Sequence, residues 1–189
     1  NHVYESRDLK KDKNYRVMMG VVDKLSKVYK YTSKIKSSND MVSYLMILMN
    51  YYTALEMIKY NNGIYRSVKF NHNMEKKSSL PDNVNNFLKI WNSSCGQYDL
   101  YDERKCHEML ELESYIHCTS PIRRLVDLLN MARLQKNILL VDYSEDFEKF
   151  NKYWCDNIDY INTTMRAIRK IQNDCNLLYR SIQQSNEKE

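Results

Sequence analysis

Two adjacent arginines follow one of the chain's two prolines, in the stretch CTSPIRR. Thr119 or Ser120 is a good helix N-cap, and Pro121 suits a first helical turn, because its missing N–H would be unpaired there anyway. The pattern predicts that a helix begins here, with Arg123 and Arg124 in its first turn. The helix dipole disfavours cations at that end by roughly 0.3–1 kcal/mol each. A bound anion would reverse the sign, and phosphate is the natural candidate, because amide and guanidinium N–H groups would both donate to it.

The same arginines also have a purely structural interpretation. Carboxylates close in the sequence, at Glu111, Glu113 and Asp127, could neutralise them. Charged residues are common in first helical turns, so spacing alone leaves the anion site and the internal ion pair as equal alternatives.

Cysteine and histidine spacing argues against a zinc site. The chain has five cysteines and no CxxC pair, and the neighbours Cys106-His107 and His117-Cys118 fit no common zinc finger. We interpret the cysteines as free thiols in a reducing compartment, which makes the cytoplasm the default location, with a virion or an organelle as alternatives. We find no apolar run of membrane-spanning length and no signal peptide, and we expect no membrane partner.

The composition favours a mainly α-helical domain. Only 3 of 189 residues are glycine and 2 are proline, whereas 43% are hydrophobic, which is enough for a core. The net charge of +5 permits a nucleic-acid partner without requiring one. Abundant asparagine, lysine, isoleucine and tyrosine also fit an AT-rich coding genome, such as that of a parasite or a large virus.

Apolar residues at helical spacing predict most of the chain to be helix. A cap at Ser37–Asp40 precedes an apolar helix that ends at Asn61–Gly63, IYRSVKF is a candidate strand, and residues 92–114 are expected to be loop with one or two short strands. The predicted helices are Tyr15–Thr32, Met41–Tyr60, one that starts at SLPDN, Ile122–Leu140, and Phe147–Ile182, the last either continuous or broken near Asn157–Thr164.

Three of these helices have predicted inward faces. In the helix that starts at SLPDN the face is Val84, Phe87, Leu88 and Trp91. In the second helix the face is Val42, Leu45, Met46, Met49, Tyr52, Leu55 and Ile58. In the last it is Phe147, Phe150, Trp154, Ile158, Ile161, Met165, Ile168, Ile171, Cys175, Leu178 and Ile182, followed by a polar tail at 184–189 that we expect to fray.

The stretch YIHCTSPIRRLVDLLNMARL closely resembles the signature of the ribonuclease II/ribonuclease R family, which reads approximately Y-x-H-F-T-S-P-I-R-R-Y-x-D-L. HEMLELESY resembles the lead-in to that signature, and VSYLMILMNYYTALEMI, GIYRSVKF and NTTMRAIRKIQNDCNLLY resemble other RNB segments in the same order. The resemblance implies that residues 1–189 are the helical C-terminal half of an α/β RNB-type catalytic domain with a few short strands.

The resemblance also implies a function and roles for individual residues. The family consists of hydrolytic 3′-to-5′ exoribonucleases that thread single-stranded RNA into a channel and use Mg²⁺ to activate water. Arg123 would contact a phosphate near the scissile bond and act in catalysis. Residues expected to bind RNA or its phosphates are Thr119, Ser120, Arg124, Tyr4, Gln172 and Asn50. Residues expected to support the site are Tyr115, His117, Pro121 and Asp127.

One part of the family pattern is missing from this sequence. The family holds Mg²⁺ with a D-x(5)-D-x-D-D cluster, whereas this chain has no adjacent aspartate pair, so it has no predicted metal ligands of its own. We expect an upstream segment or a second chain to carry those aspartates. The chain is then a fragment, one subunit of a split nuclease, or an inactive relative that serves as an RNA-binding or protein-interaction scaffold.

Overall fold

A computed structural model describes residues 7–31, 35–69, 80–81, 84–85 and 96–186. These parts of the chain contain five α-helices, two short strands and three short 3₁₀ segments, so the domain is mainly helical, as predicted. The α-helices are α1 (Lys13–Val28), α2 (Ser38–Lys59), α3 (Leu125–Asn137), α4 (Glu145–Asp156) and α5 (Ile158–Asn186), and the strands are β1 (Ile64–Ser67) and β2 (Gln97–Leu100). The helix predicted to start at SLPDN lies almost wholly outside the described residues.

Helix α2 begins and ends where its sequence signals predict. The Ser37 hydroxyl accepts the Asp40 amide at 3.2 Å, and the Asp40 carboxylate accepts the Ser37 amide at 2.9 Å, which forms a capping box. At the other end, Asn61 and Gly63 have φ angles of 51° and 110°. A side chain at Gly63 would also lie 3.2 Å from Met57 Cε. Glycine therefore suits this position both for its positive φ angle and for the close approach of Met57.

The predicted inward face of α2 is wrong. Met49 and Tyr52 are 49% and 44% exposed, whereas the buried residues are Ser38, Tyr44, Asn50, Thr53, Ala54 and Met57. Apolar residues surround this helix almost evenly, so the sequence has no dominant apolar stripe to follow.

The expectation that no segment is long and apolar enough to cross a membrane is also wrong for α2, which meets that test by length and composition alone. One such helix is weak evidence, since core helices pass the same test.

The two strands form an antiparallel pair beneath the chain segment that leads to CTSPIRR. Ile64 pairs with Leu100, and Ser67 pairs with Gln97. The Arg66 amide donates to the Tyr115 carbonyl at 2.7 Å, and Tyr65 forms a bridge with Ile116. The strand predicted in IYRSVKF and the short strand predicted within 92–114 are thus both confirmed, and they support the site segment from below.

Three buried asparagines attach the core helices to this centre. Asn50 on α2 accepts the Cys118 amide at 3.0 Å and donates to the Tyr115 hydroxyl at 2.9 Å. Asn130 on α3 bonds the Ile64 amide and carbonyl at 2.9 and 2.8 Å, and the His117 carbonyl at 3.0 Å. Asn162 on α5 bonds the Tyr98 amide and carbonyl at 2.7 and 2.8 Å. Asn130 and Asn162 satisfy backbone groups of the two strands, and Asn50 satisfies the Cys118 amide in the segment above them.

The C-terminal helical run breaks at Asn157, which confirms the two-helix alternative. Ile161, near the start of α5, is buried in a cluster with Ile64, Tyr98, Val126 and Leu129. Trp154, Ile158 and Met165 of the predicted inward face are partly buried and pack against this cluster. The later part of that predicted face is wrong, because its residues are exposed. We call these residues the distal stripe: Ile168, Ile171, Cys175, Leu178 and Ile182. Helix α5 continues to Asn186, which takes in part of the predicted tail at 184–189, and residues 187–189 lie outside the described part.

Candidate anion-binding site

The arginines lie in a turn that precedes a helix, and not in its first turn as predicted. Helix α3 begins at Leu125, and the backbone at Pro121–Arg123 is a turn. The amides of Arg123 and Arg124 both donate to the Ser120 carbonyl, at 3.3 and 3.1 Å. We call residues 119–124 the arginine turn. Arg124 is the N-cap residue, so neither Thr119 nor Ser120 caps the helix.

Asp127 holds the arginine turn from beneath. Its side chain is completely buried in the first turn of α3, and its Oδ1 accepts the Ser120 amide at 2.7 Å. The Arg124 guanidinium donates from Nη2 to the same oxygen at 3.0 Å, and its Nε lies 2.8 Å from Oδ2 as an ion pair without hydrogen-bond geometry. The structural interpretation of the arginines is therefore right for Arg124, whose partner is Asp127.

Arg123 is placed differently from its neighbour. It is exposed, and in the described structure its guanidinium makes one hydrogen bond, from Nη2 to the Ser120 hydroxyl at 3.4 Å. No carboxylate among the described residues forms an ion pair with Arg123, so neither Glu111 nor Glu113 neutralises it. The Thr119 hydroxyl oxygen in this turn is buried and has no hydrogen-bond partner in the described part of the chain. The turn therefore presents a cation that no described carboxylate neutralises.

A buried ring pair lies close to the arginines. The hydroxyl of Tyr98 is 2.7 Å from Nδ1 of His117, and the ring of Tyr115 lies edge-on to the imidazole. Burial, with the added effect of the Arg124 and Arg66 charges, lowers the pKa of His117 to about 2. Burial also raises the pKa of Tyr98, although nearby arginine charges oppose that shift. Both rings are consequently neutral at physiological pH.

Sequence reasoning did not find two further arginines whose charges reach this ring pair. Arg66 on β1 is only 5% exposed, and Arg169 lies on the exposed side of α5. The charges of Arg66, Arg124 and Arg169 all act on the Tyr98 hydroxyl. Arg66 is itself the charged residue of a four-residue buried strand, IYRS, and that isolated charge was the signal available in the sequence.

The arginine turn and the elements that support it lie within a stretch that matches a known family. The family model of the RNB domain matches residues 3–139. This chain belongs to the RNB domain family. The matched stretch includes α1, α2, both strands, the turn and α3, whereas α4 and α5 lie beyond it.

The fold is also similar to that of a solved RNB-type structure. The Dss1 exoribonuclease from Candida glabrata, crystallised as an active-site mutant, superposes with a TM-score of 0.53 at 18% sequence identity. The match covers 82% of this chain and 25% of that chain, so this chain spans about a quarter of the length of that relative. No curated protein matches the sequence significantly.

Other predicted site residues of the RNB chain fall into four groups. Asn50 was predicted to bind RNA, but it is 1% exposed and bonds the chain internally, so that prediction is wrong. Gln172 is exposed on α5, one turn after Arg169, where an RNA role stays a prediction. Tyr4 lies outside the described residues. Tyr115 and His117 pack and hydrogen-bond beneath the turn, consistent with support.

The described residues do not fit a magnesium site. No group of three or more His, Cys, Asp or Glu side chains in this part of the chain could hold a metal ion. The two buried carboxylates, Asp99 and Asp127, are already engaged, by Ser67 and Gln97 in one case and by Ser120 and Arg124 in the other. The described residues thus offer cations and hydrogen-bond donors, and no step through a metal is derived from them.

Proposed function

We propose that this chain is the phosphate-binding part of a hydrolytic 3′-to-5′ exoribonuclease that acts on single-stranded RNA and releases nucleoside 5′-monophosphates. The observation that carries the proposal is the exposed guanidinium of Arg123, which no described carboxylate neutralises, on a hydrogen-bonded turn within an RNB domain. A fixed cation beside the strand would stabilise the negative charge that develops on the phosphate in the transition state. Magnesium would be bound by aspartates outside this chain.

The turn's other residues have supporting roles in this proposal. Asp127 neutralises Arg124 and bonds the Ser120 amide, so the backbone under Arg123 is held by a buried carboxylate. Ser120 positions the Arg123 guanidinium through its hydroxyl. Thr119, whose hydroxyl lacks a partner in the described part of the chain, would donate to the RNA backbone. Gln172 and Tyr4 would contact the 3′-terminal nucleotide.

A second candidate function is an inactive RNB-like scaffold that binds RNA or protein. It is favoured by one observation, the lack of any metal-binding cluster among the described residues. Such a scaffold would bind RNA in a salt-sensitive way and would not cut it.

A nuclease assay separates the two functions. The intact natural polypeptide is incubated with 3′-labelled single-stranded RNA and Mg²⁺, and nucleotide release is followed. We expect Arg123→Ala to reduce the rate by about 100-fold or more, in the range seen when a transition-state donor is lost. Arg16→Ala, which removes an exposed arginine on α1, is the matched control and should leave the rate unchanged. RNA binding with no release by the unaltered polypeptide would favour the scaffold.

A further inference from the structure

We propose that Arg66 is a second RNA phosphate contact, separate from the arginine turn, and that it is kept in the core for this reason. The inference rests on the proposed function, since it assumes that an RNA strand passes the arginine turn. Arg66 comes from β1, so it would reach the strand from a different element than Arg123 does.

Arg66 is a buried cation without a carboxylate partner. It is 5% exposed, its Nη1 donates to the Gly96 carbonyl at 2.5 Å, and its guanidinium carbon lies 5.1 Å from the centre of the Tyr98 ring. No Asp or Glu within the described ranges forms an ion pair with it. Burying a charge lowers stability unless the charge is paired and fully hydrogen-bonded. Arg66 therefore destabilises the domain in the absence of RNA.

Neighbouring charges make the buried cation of Arg66 still less favourable. Burial lowers its pKa, and the charges of Arg169 and Arg124 act in the same direction, because both lie near enough to repel it. Tyr98 and Asp99 act in the opposite direction, but the pKa of Arg66 stays lowered. An anion drawn to this group of arginines would remove the repulsion, and a phosphodiester has the right charge and acceptor geometry.

The guanidinium is not wholly enclosed. Arg66 keeps 5% of its surface exposed, and within the described residues its guanidinium makes one hydrogen bond, from Nη1 to the Gly96 carbonyl. Gly96 allows the backbone to approach this closely, because a side chain there would lie 2.6 Å from Arg66 Nη2. A phosphate would reach the guanidinium at its exposed edge.

The test combines stability with RNA affinity. Arg66→Met replaces the cation with an apolar chain of similar length, and binding of the intact natural polypeptide to fluorescent single-stranded RNA is measured in EDTA at several salt concentrations. We expect an unchanged or higher melting temperature and an affinity about tenfold lower, because a hydrogen bond to a charged group is lost. The slope of log affinity against log salt should fall by about 0.7, the value for one phosphate of a single strand.

Two controls distinguish this inference from the proposed function. Arg16→Met should change neither the affinity nor the salt slope, and Arg66→Lys should keep the salt slope while it weakens binding. If Arg66→Met lowers the melting temperature and leaves the affinity unchanged, Arg66 is a structural residue and the inference is overturned. If Arg66→Met weakens binding but Arg123→Ala does not reduce nucleotide release, the inference stands and the role of Arg123 fails. If the unaltered polypeptide binds no RNA, both are wrong.

Discussion

In the centre of the domain polar side chains are buried, whereas in the second half of α5 apolar side chains are exposed. Asn50, Asn130 and Asp127 are each at most 1% exposed and satisfy backbone groups around the arginine turn. In the distal stripe, Ile171 and Leu178 are both 62% exposed. The two regions therefore invert the usual relation between polarity and burial.

The inversion shows that hydrogen-bonding need, as well as hydrophobicity, decides which residues lie at the centre. A two-stranded sheet leaves many backbone groups open, and short amide and carboxylate side chains close them at fixed distances. The distal stripe has no such role in the described structure, and it lies beyond the stretch matched by the RNB family model. Substitutions should thus cost stability in the polar centre and little in the distal stripe.

Removal of the buried carboxylate should have the largest effect. Asp127→Ala leaves the Arg124 guanidinium and the Ser120 amide without their shared partner. We expect the free energy of unfolding to fall by about 3–5 kcal/mol, measured by urea denaturation followed by circular dichroism. Asp174→Ala, an exposed change on α5, is the control and should shift it by less than about 0.5 kcal/mol. Equal losses in the two variants would contradict the contrast between the regions.

The loss of one asparagine should come next. Asn130→Ala leaves the Ile64 amide and carbonyl and the His117 carbonyl unpaired in a buried position. A cost of about 3 kcal/mol is expected, because each buried unsatisfied group costs about 1–3 kcal/mol and water will restore some of them. Asn176→Ala, which changes an exposed asparagine on α5, should be almost neutral. A small loss of stability in Asn130→Ala would mean that the backbone groups it leaves find other hydrogen-bond partners.

Two isoleucines on one helix sharpen the comparison further. Ile161 is 8% exposed and packs on the core, whereas Ile171 is 62% exposed. Ile161→Ala should cost about 2–3 kcal/mol, because it removes buried methyl groups and leaves a cavity, and Ile171→Ala should stay within about 0.5 kcal/mol. Thermal denaturation of the two variants measures both losses of stability. A clear loss at Ile171 in the intact natural polypeptide would show that the distal stripe is covered there.

The smallest expected effect is on pH dependence. The pKa of His117 is about 2 in the folded chain against 6.5 when unperturbed, so below pH 6.5 the unfolded state binds the extra proton. Stability from this residue is therefore fully present above pH 6.5 and is lost as the pH falls, by at most about 1.4 kcal/mol per pH unit. His117→Gln should flatten this slope in urea titrations between pH 6.5 and 5. Part of the slope should persist, because the pKa of His107 is also lowered, to about 4. If the unaltered protein and His117→Gln lose stability with the same slope, His117 is not neutral in the folded state.

Local signals in the sequence determined several elements of this protein. The Ser37–Asp40 cap, the turn at Asn61–Gly63 and the strand in IYRSVKF all follow from interactions between residues a few positions apart. The TSPIRR motif likewise marked the site and the family. These features are readable because the atoms that decide them lie within one or two turns of chain.

Only the tertiary structure decided which face of each helix is buried and what each arginine contacts. The inward face of α2 could not be read, because its apolar residues surround the helix. Arg66 and Arg124 both act on the Tyr98 hydroxyl, yet Arg66 lies on a strand 57 positions before Arg123 in the chain. Such contacts link distant segments, and their energies depend on burial and geometry that no local pattern contains.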